Sequence, residues 1–313
     1  MKLNKPKFWD TKFSLTAIFF IPITLVTLLV NAVKIKFTKS MKFNIPIICI
    51  GNIYIGGTGK TPTSVNIAKE LTKFGKKPAI IRKFYKDHED EYLLIRKHFK
   101  NLIINKSRVT AVEEAEKENF DIAILDDGFQ DHKIKKNLNI ICFNENQFIG
   151  NGFVLPSGPL RENLSSLKRA EIILINGNKN IEFENKILNV NKNLSIFYAK
   201  YKPENIDEFK NKRLLAVAGI GNPDNFFKIL IDNNLNIEKK LIFPDHYEFS
   251  KNEIKNIIDE ACKNEYEIIM TEKDYFKVKN FNLEKIKYLK VSLEINEKER
   301  LFKKITKLYD QNY

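Results

Sequence analysis

Between Ile45 and Phe74 the sequence reads IPIICIGNIYIGGTGKTPTSVNIAKELTKF, and its middle has the residue types that bind phosphate. Gly56-Gly57-Thr58-Gly59-Lys60-Thr61 follows a short apolar run and precedes a stretch with helical spacing, the setting of a nucleotide phosphate loop. Backbone N–H groups of Gly57, Thr58 and Gly59 can wrap phosphate oxygens, and the helix N-terminus adds its partial positive charge. Lys60 then reaches the β- and γ-phosphates, and the Thr61 hydroxyl ligates Mg²⁺. The general pattern G-x-x-x-x-G-K-[ST] places glycine where this chain has Tyr54, so the loop begins differently. A second segment, DIAILDDGFQ at 121–130, is an apolar strand ending in the carboxylates Asp126 and Asp127. An aspartate so placed holds Mg²⁺ directly or through water.

The elements that must position these groups follow from periodicity. Apolar runs at Ile45–Ile50, Pro78–Ile81, Leu102–Ile104, Ile122–Leu125, Ile140–Phe143 and Glu171–Asn176 read as buried parallel strands. Helical stretches separate several of them, at Thr63–Phe74, from Tyr92 onward and at Ala111–Glu118. This alternation predicts an α/β fold of P-loop NTPase type, a doubly wound sheet covered by helices on both faces. Residues 186–201 read as a hairpin connector. A smaller C-terminal α/β domain follows, with strands at Leu214–Ala218, Leu241–Phe243, Glu267–Met270 and Tyr288–Leu293. The expected boundaries are 1–40 for an N-terminal membrane-associated segment, 41–205 for the P-loop core and 206–313 for the smaller domain.

Residues 13–33, FSLTAIFFIPITLVTLLVNAV, carry no charge and are flanked by lysines on both sides. Twenty-one residues rise about 30 Å as a helix, enough to cross a bilayer core. Val30-Asn31-Ala32 imitates a signal cleavage site, but cleavage would export a phosphate loop away from its nucleotide. A true membrane helix and a helix or kinked hairpin within one leaflet both remain open, Pro22, Asn31 and the threonines arguing against the first. Either one holds the chain at a membrane.

The formal charge of +14 favours polyanionic partners such as a phospholipid surface or a phosphorylated substrate. The charge is scattered, without an arginine-rich stripe interleaved with aromatics, which argues against nucleic acid. Cys49, Cys142 and Cys262 form no C-x-x-C pair, so neither a disulfide framework nor a zinc site is indicated.

Taken in order, GNIYIGGTGKTP (51–62), DDGFQ (126–130), GNGFVLPSGPLRE (150–162), AGIGNPDNFF (218–227), FPDHYEF (243–249) and MTEKD (270–274) resemble the tetraacyldisaccharide 4'-kinases of lipid A biosynthesis. That family's loop also lacks the first glycine. The resemblance implies transfer of the ATP γ-phosphate to the 4'-hydroxyl of an acylated glucosamine disaccharide, at the inner leaflet on the cytoplasmic face of the inner membrane. It implies Asp90 as the base, with His246 as its partner from the second domain, so that domain closure completes the site. Glu91, Asp127, Gln130 and Glu162 match family positions that handle Mg²⁺ or organise the site. Several family positions differ here: Glu89-Asp90-Glu91-Tyr92 stands for G-D-E-P, Ile81-Arg82-Lys83-Phe84 for S-R-G-Y, and Asp131 separates Gln130 from His132. The Thr271–Asp274 stretch is expected to border the nucleotide, without the order that reads guanine. Arg161 and Lys168 either contact substrate phosphate or form a solvated basic face. A membrane-tethered switch ATPase is the rival reading, and the oligomeric state stays open.

Overall fold

The computed structural model describes residues 5–245, 247–278, 281 and 285–310. Its strands are β1 (Ile47–Gly51), β2 (Pro78–Lys83), β3 (Leu102–Asn105), β4 (Ile122–Asp126), β5 (Leu138–Asn144), β6 (Ile172–Asn176), β7 (Ser195–Pro203), β8 (Arg213–Ala218), β9 (Asn236–Ile242), β10 (Glu267–Thr271), β11 (Ile286–Leu289) and β12 (Val291–Ile295). Its helices are α1 (Leu15–Phe19), α2 (Ile21–Phe37), α3 (Lys60–Lys73), α4 (Glu89–His98), α5 (Arg108–Lys117), α6 (Ile181–Leu188), α7 (Pro223–Asp232), α8 (Lys251–Lys263), α9 (Glu272–Val278) and α10 (Lys298–Asp310).

The larger sheet runs in the order β12-β7-β6-β5-β1-β4-β2-β3. β1 pairs in parallel with β4 on one side and β5 on the other. Every residue of β1, β4, β5 and β6 is buried, as a parallel sheet covered on both faces requires. The strand order turns outward in both directions from β1. The loops leaving β1 and β4 therefore open at the switch point where α/β sheets bind ligands. Gly51, at the end of β1, has no room for a side chain, since a Cβ there would meet Phe129 Cβ at 2.5 Å.

The smaller sheet, β11-β10-β8-β9, is parallel throughout. The period-2 alternation along β8 fills both its faces. Leu214, Ala216 and Ala218 pack with Phe226, Phe227 and Leu230 of α7, while Leu215 and Val217 pack with Ile254 and Ile257 of α8.

Among the described residues two compact units result, one within 5–84, 101–200 and 295–310, the other within 85–100 and 201–294. This division differs from the expected boundaries. Residues 5–40 belong to the larger unit, and α4 belongs with the smaller sheet, where α9 holds it through ion pairs at both ends. The hairpin expected at 186–201 is instead α6 followed by β7, which pairs in parallel with β6. Phe183 and Ile187, one turn apart on α6, are buried, and the Asn180 side chain accepts from Phe183 N at 2.8 Å to cap the helix. The strand expected at 288–293 is two, split at Lys290 between the sheets.

The expected N-terminal membrane helix is overturned, and with it the localisation through an apolar anchor. Among the described residues no helix is long and apolar enough to cross a membrane. The apolar run breaks at Phe20 into a five-residue α1 and a 17-residue α2. At 1.5 Å per residue α2 rises only about 25 Å. The threonines that interrupt its apolar character dock it on the 154–157 segment. Buried Thr24 Oγ1 donates toward Ser157 Oγ at 2.8 Å and accepts from Ser157 N at 3.1 Å, and Thr27 Oγ1 donates to Leu155 O at 3.1 Å.

Candidate active site

The phosphate loop sits between β1 and α3. Gly56 (φ +103°) and Gly59 (φ +89°) occupy the left-handed region, which side chains resist, and this leaves glycine the natural residue at both. Tyr54 does not begin the turn because it belongs to the core. Its ring is buried, and its backbone bridges to Leu160 in antiparallel fashion. Ile55 N donates to Pro159 O at 2.9 Å, and Arg161 N donates to Ile53 O at 2.7 Å. The GPLRE stretch is thereby laced along the loop's entry, and this is how Arg161 arrives beside the Asp127 carboxylate. Asn52 Nδ2 donates to Thr58 Oγ1 at 3.0 Å and to Gly56 O at 3.3 Å, and Gln130 Nε2 holds Asn52 O at 2.9 Å. Asn176 Nδ2, at the end of β6, donates to Thr58 O.

Asp126 and Asp127 divide the work. Asp126, fully buried, accepts from Thr61 Oγ1 at 2.9 Å and Ser64 Oγ at 3.1 Å, and pairs with Arg82 Nη1. It is therefore Asp126, the neighbour of the predicted Asp127, that lies against the Thr61 hydroxyl. Asp127 takes the left-handed conformation (φ +59°), which turns its carboxylate toward cations. Its Oδ1 lies 2.8 Å from Arg161 Nη1 and 3.7 Å from Lys60 Nζ, and its carbonyl accepts from Arg108 Nη2 at 2.6 Å. Burial alone would raise the Asp127 carboxyl, but Lys60, Arg161, Arg82 and Arg108 outweigh it and hold it well below the usual carboxylate range. Burial lowers the Lys60 ammonium against the opposing pull of Asp127. Glu162 pairs with Arg169 Nη2, and burial pushes its carboxyl up despite that partner.

Asp126→Asn keeps the side chain's shape but removes the charge that faces buried Arg82. Losing one member of such a pair costs about 3 kcal/mol. Urea unfolding of the variant should report that loss, and a change below about 1 kcal/mol would contradict this reading of the pair.

His132 lies beside this cluster, its Nδ1 3.1 Å from Arg169 Nη1. Burial, then Arg169 and Lys136, push its ring down to about 4. An unfolded imidazole binds its proton near pH 6.5. Between those values the unfolded chain holds a proton the folded chain lacks, so stability falls as pH drops through that window. His132→Gln should lose less stability than wild type between pH 7 and about pH 5, by about 1 kcal/mol once screening of a part-exposed ring is allowed for. Paired urea titrations at the two pH values measure the difference.

In the smaller unit, α4 begins with Glu89, Asp90 and Glu91, acidic residues suited to a helix N-terminus. Asp90 is 6% exposed, and its Oδ1 accepts from Glu91 N at 2.9 Å. Glu91 Oε2 lies 3.1 Å from His88 Nδ1. Lys273 Nζ stands 3.6 Å from Asp90 Oδ2, 3.4 Å from Glu91 Oε1 and 3.0 Å from Asp245 Oδ1. His246 lies outside the described residues.

The structure thus places Gly56, Gly57, Thr58, Gly59, Lys60, Thr61, Asp127, Gln130 and Glu162 in the larger unit, and Asp90 and Glu91 in the smaller. The sequence reading put Asp127 ahead of Asp126 for the metal, and it missed Arg82 and Arg108 as site groups, along with Lys273. A signal existed for Arg82 and Asp126: both stand at the C-terminal ends of buried strands, where α/β sheets put functional groups. The T-E-K-D stretch was expected near the nucleotide, yet Lys273 and Glu272 are engaged with α4.

A cleft of about 350 Å³ is lined by Val26, Thr27, Val30 and Asn31 of α2 together with Val154, Leu155 and Arg161. Its walls are largely apolar, and Arg161 links it to the Asp127 cluster.

Residues 12–310 match the model of the family described as tetraacyldisaccharide-1-P 4'-kinase. A tetraacyldisaccharide 4'-kinase of Pelagibacter ubique is 44% identical over 316 residues, covering 100% of each chain. One from Francisella tularensis subsp. novicida is 35% identical, over 88% of this chain and 94% of the relative. Among solved structures, LpxK of Aquifex aeolicus in complex with ATP superposes with a TM-score of 0.70 at 23% identity, covering 94% of this chain and 99% of that one, a likeness of fold.

Proposed function

The chain belongs to the tetraacyldisaccharide-1-P 4'-kinase family, and from that premise we propose that it transfers the γ-phosphate of ATP to the 4'-hydroxyl of an acylated glucosamine disaccharide 1-phosphate. The observation that carries this reading is the arrangement around Asp127. Lys60 and Arg161 both lie on one carboxylate oxygen beside the glycine loop. Two cations gathered there can pass to a γ-phosphate and stabilise the charge that spreads over it during transfer. The loop amides hold the remaining phosphates. The largely apolar cleft that reaches Arg161 has the character an acyl chain requires.

Mg²⁺ fits this donor set. Thr61 Oγ1 and Asp126 Oδ2, hard oxygens 2.9 Å apart, offer a hydroxyl and a carboxylate. Among the described residues no three His, Cys, Asp or Glu side chains converge as a metal cage. Mg²⁺ in a nucleotide site takes one or two protein ligands and the rest from phosphate and water. The ion would supply charge neutralisation to the β- and γ-phosphates. Asp127, Gln130 and Glu162 then serve to organise the surrounding shell, while Glu91 stands beside Asp90 in the first turn of α4. Asp90 takes the proton from the 4'-hydroxyl as attack proceeds, and His246 is its proposed partner.

The test is a transfer assay with labelled ATP, Mg²⁺ and tetraacyldisaccharide 1-phosphate in detergent micelles. Label should appear in the lipid only when the lipid acceptor is present. Phosphate release at the same rate with and without lipid would overturn the kinase reading in favour of an ATPase switch.

A further inference from the structure

The T-E-K-D stretch makes a set of contacts that phosphate binding does not require. Thr271 closes β10, and the next three residues open α9. Asp274 is fully buried and accepts from Thr271 Oγ1 at 2.7 Å and Gly219 N at 2.7 Å, fastening the start of α9 to the turn after β8. Glu272, 7% exposed, faces the last turn of α4, taking Lys97 Nζ at 2.8 Å and His98 Nε2 at 2.9 Å. Lys273 faces the first turn of α4, at Asp90 and Glu91. Adjacent residues of opposite sign thus grip the basic and acidic ends of one helix.

Lys277, one turn beyond Lys273 and on the same face, adds a second ammonium 3.6 Å from Asp90 Oδ2. It is itself fixed by Asp274 Oδ1 at 2.8 Å and Gly219 O at 3.2 Å. One Asp90 oxygen therefore accepts from a backbone N–H, and two ammonium groups stand 3.6 Å from the other. We propose that Lys273 is a positioning residue for Asp90, with Glu272 as the second grip on α4; this rests on the reading of Asp90 as the base. Asp90, Glu91 and Asp245 all lie within 3.6 Å of the Lys273 ammonium, which shields their mutual repulsion and holds the Asp90 carboxylate in one orientation. A misplacement of about 1 Å in a reacting group costs about 10²-fold in rate.

Lys273→Ala should lower kcat about 50-fold while the KM for ATP stays within about threefold. Lys273→Arg, which keeps the charge, should return to within about fivefold of wild type. The decisive readout is coupling: in an Asp90→Asn background, Lys273→Ala should lower the residual rate by less than about threefold, because its target is already gone. Circular dichroism checks each fold, and Lys273→Gln is read on the same scale should Lys273→Ala fail to fold. An unaffected kcat in Lys273→Ala, or an undiminished loss in the Asp90→Asn background, overturns the positioning role. Near-wild-type transfer by Asp90→Asn overturns the base reading and the positioning role together. An inactive Asp90→Asn beside an unaffected Lys273→Ala overturns the positioning role alone.

Discussion

Asp90→Asn should lower the rate of phosphate transfer about 10³-fold, within the range that general bases contribute. Its affinity for ATP should stay within about twofold, because the substitution removes a proton acceptor and no nucleotide contact. The amide keeps the carboxylate's size, so α4 retains its start. Equilibrium nucleotide binding and single-turnover transfer on the same preparation separate the two quantities. A matching loss of both would show that Asp90 supports the nucleotide site and is not the base. The residues that depart from the family pattern around it are accommodated locally. Glu89 joins the acidic first turn of α4, where a negative charge suits the helix dipole. Tyr92, buried, accepts from Tyr85 N at 2.6 Å and donates to Tyr85 O at 3.2 Å, closing the segment before the helix. Neither change displaces Asp90 from the first turn.

Lys60→Ala is the second large effect, an expected loss of about 10²–10³-fold in kcat/KM, the scale of removing one preorganised charge from a transfer site. The folded state should lose no more than about 1 kcal/mol, since Asp127 keeps Arg161 at 2.8 Å and the desolvated ammonium is removed with its own burial cost. The contrast with Asp126→Asn is informative. There the pair with Arg82 is buried on both sides and its loss is structural, whereas Lys60 is poised on a shared carboxylate that a phosphate can replace. Retention of more than about a tenth of the wild-type kcat/KM by Lys60→Ala would contradict this division.

The glycine loop, the strand feeding it and the carboxylates ending β4 were legible because each is a local pattern. Periodicity, a left-handed turn and a helix start are decided within about twenty residues. The family resemblance extended that reading to Asp90 and Glu162, whose roles no local pattern carries. The same locality explains the misreadings. Residues 13–33 have the apolar content of a membrane helix, but what they become depends on Thr24 and Thr27 meeting Ser157 and Leu155, about 130 positions away. Residues 186–201 have the local pattern of a hairpin, but burial of Phe183 and Ile187 against the large sheet makes their start the end of a helix. Tyr54 looked like a fault in the loop, and it is the core residue that ties the loop's entry to Leu160.

By itself, then, the sequence determined the α/β class, the glycine loop of Gly56 to Thr61 between a strand and a helix, and the chemical character of the groups around it. Only the tertiary structure decided which of two neighbouring aspartates meets Thr61 and which meets Lys60 and Arg161. It alone joined α4 to the unit of the smaller sheet, and put Lys273 on Asp90 across 183 positions of chain. The physical reason is common to all of these. Charge pairing and burial depend on distance in space, and spacing along a chain reports that distance only within a turn, a strand or a helix.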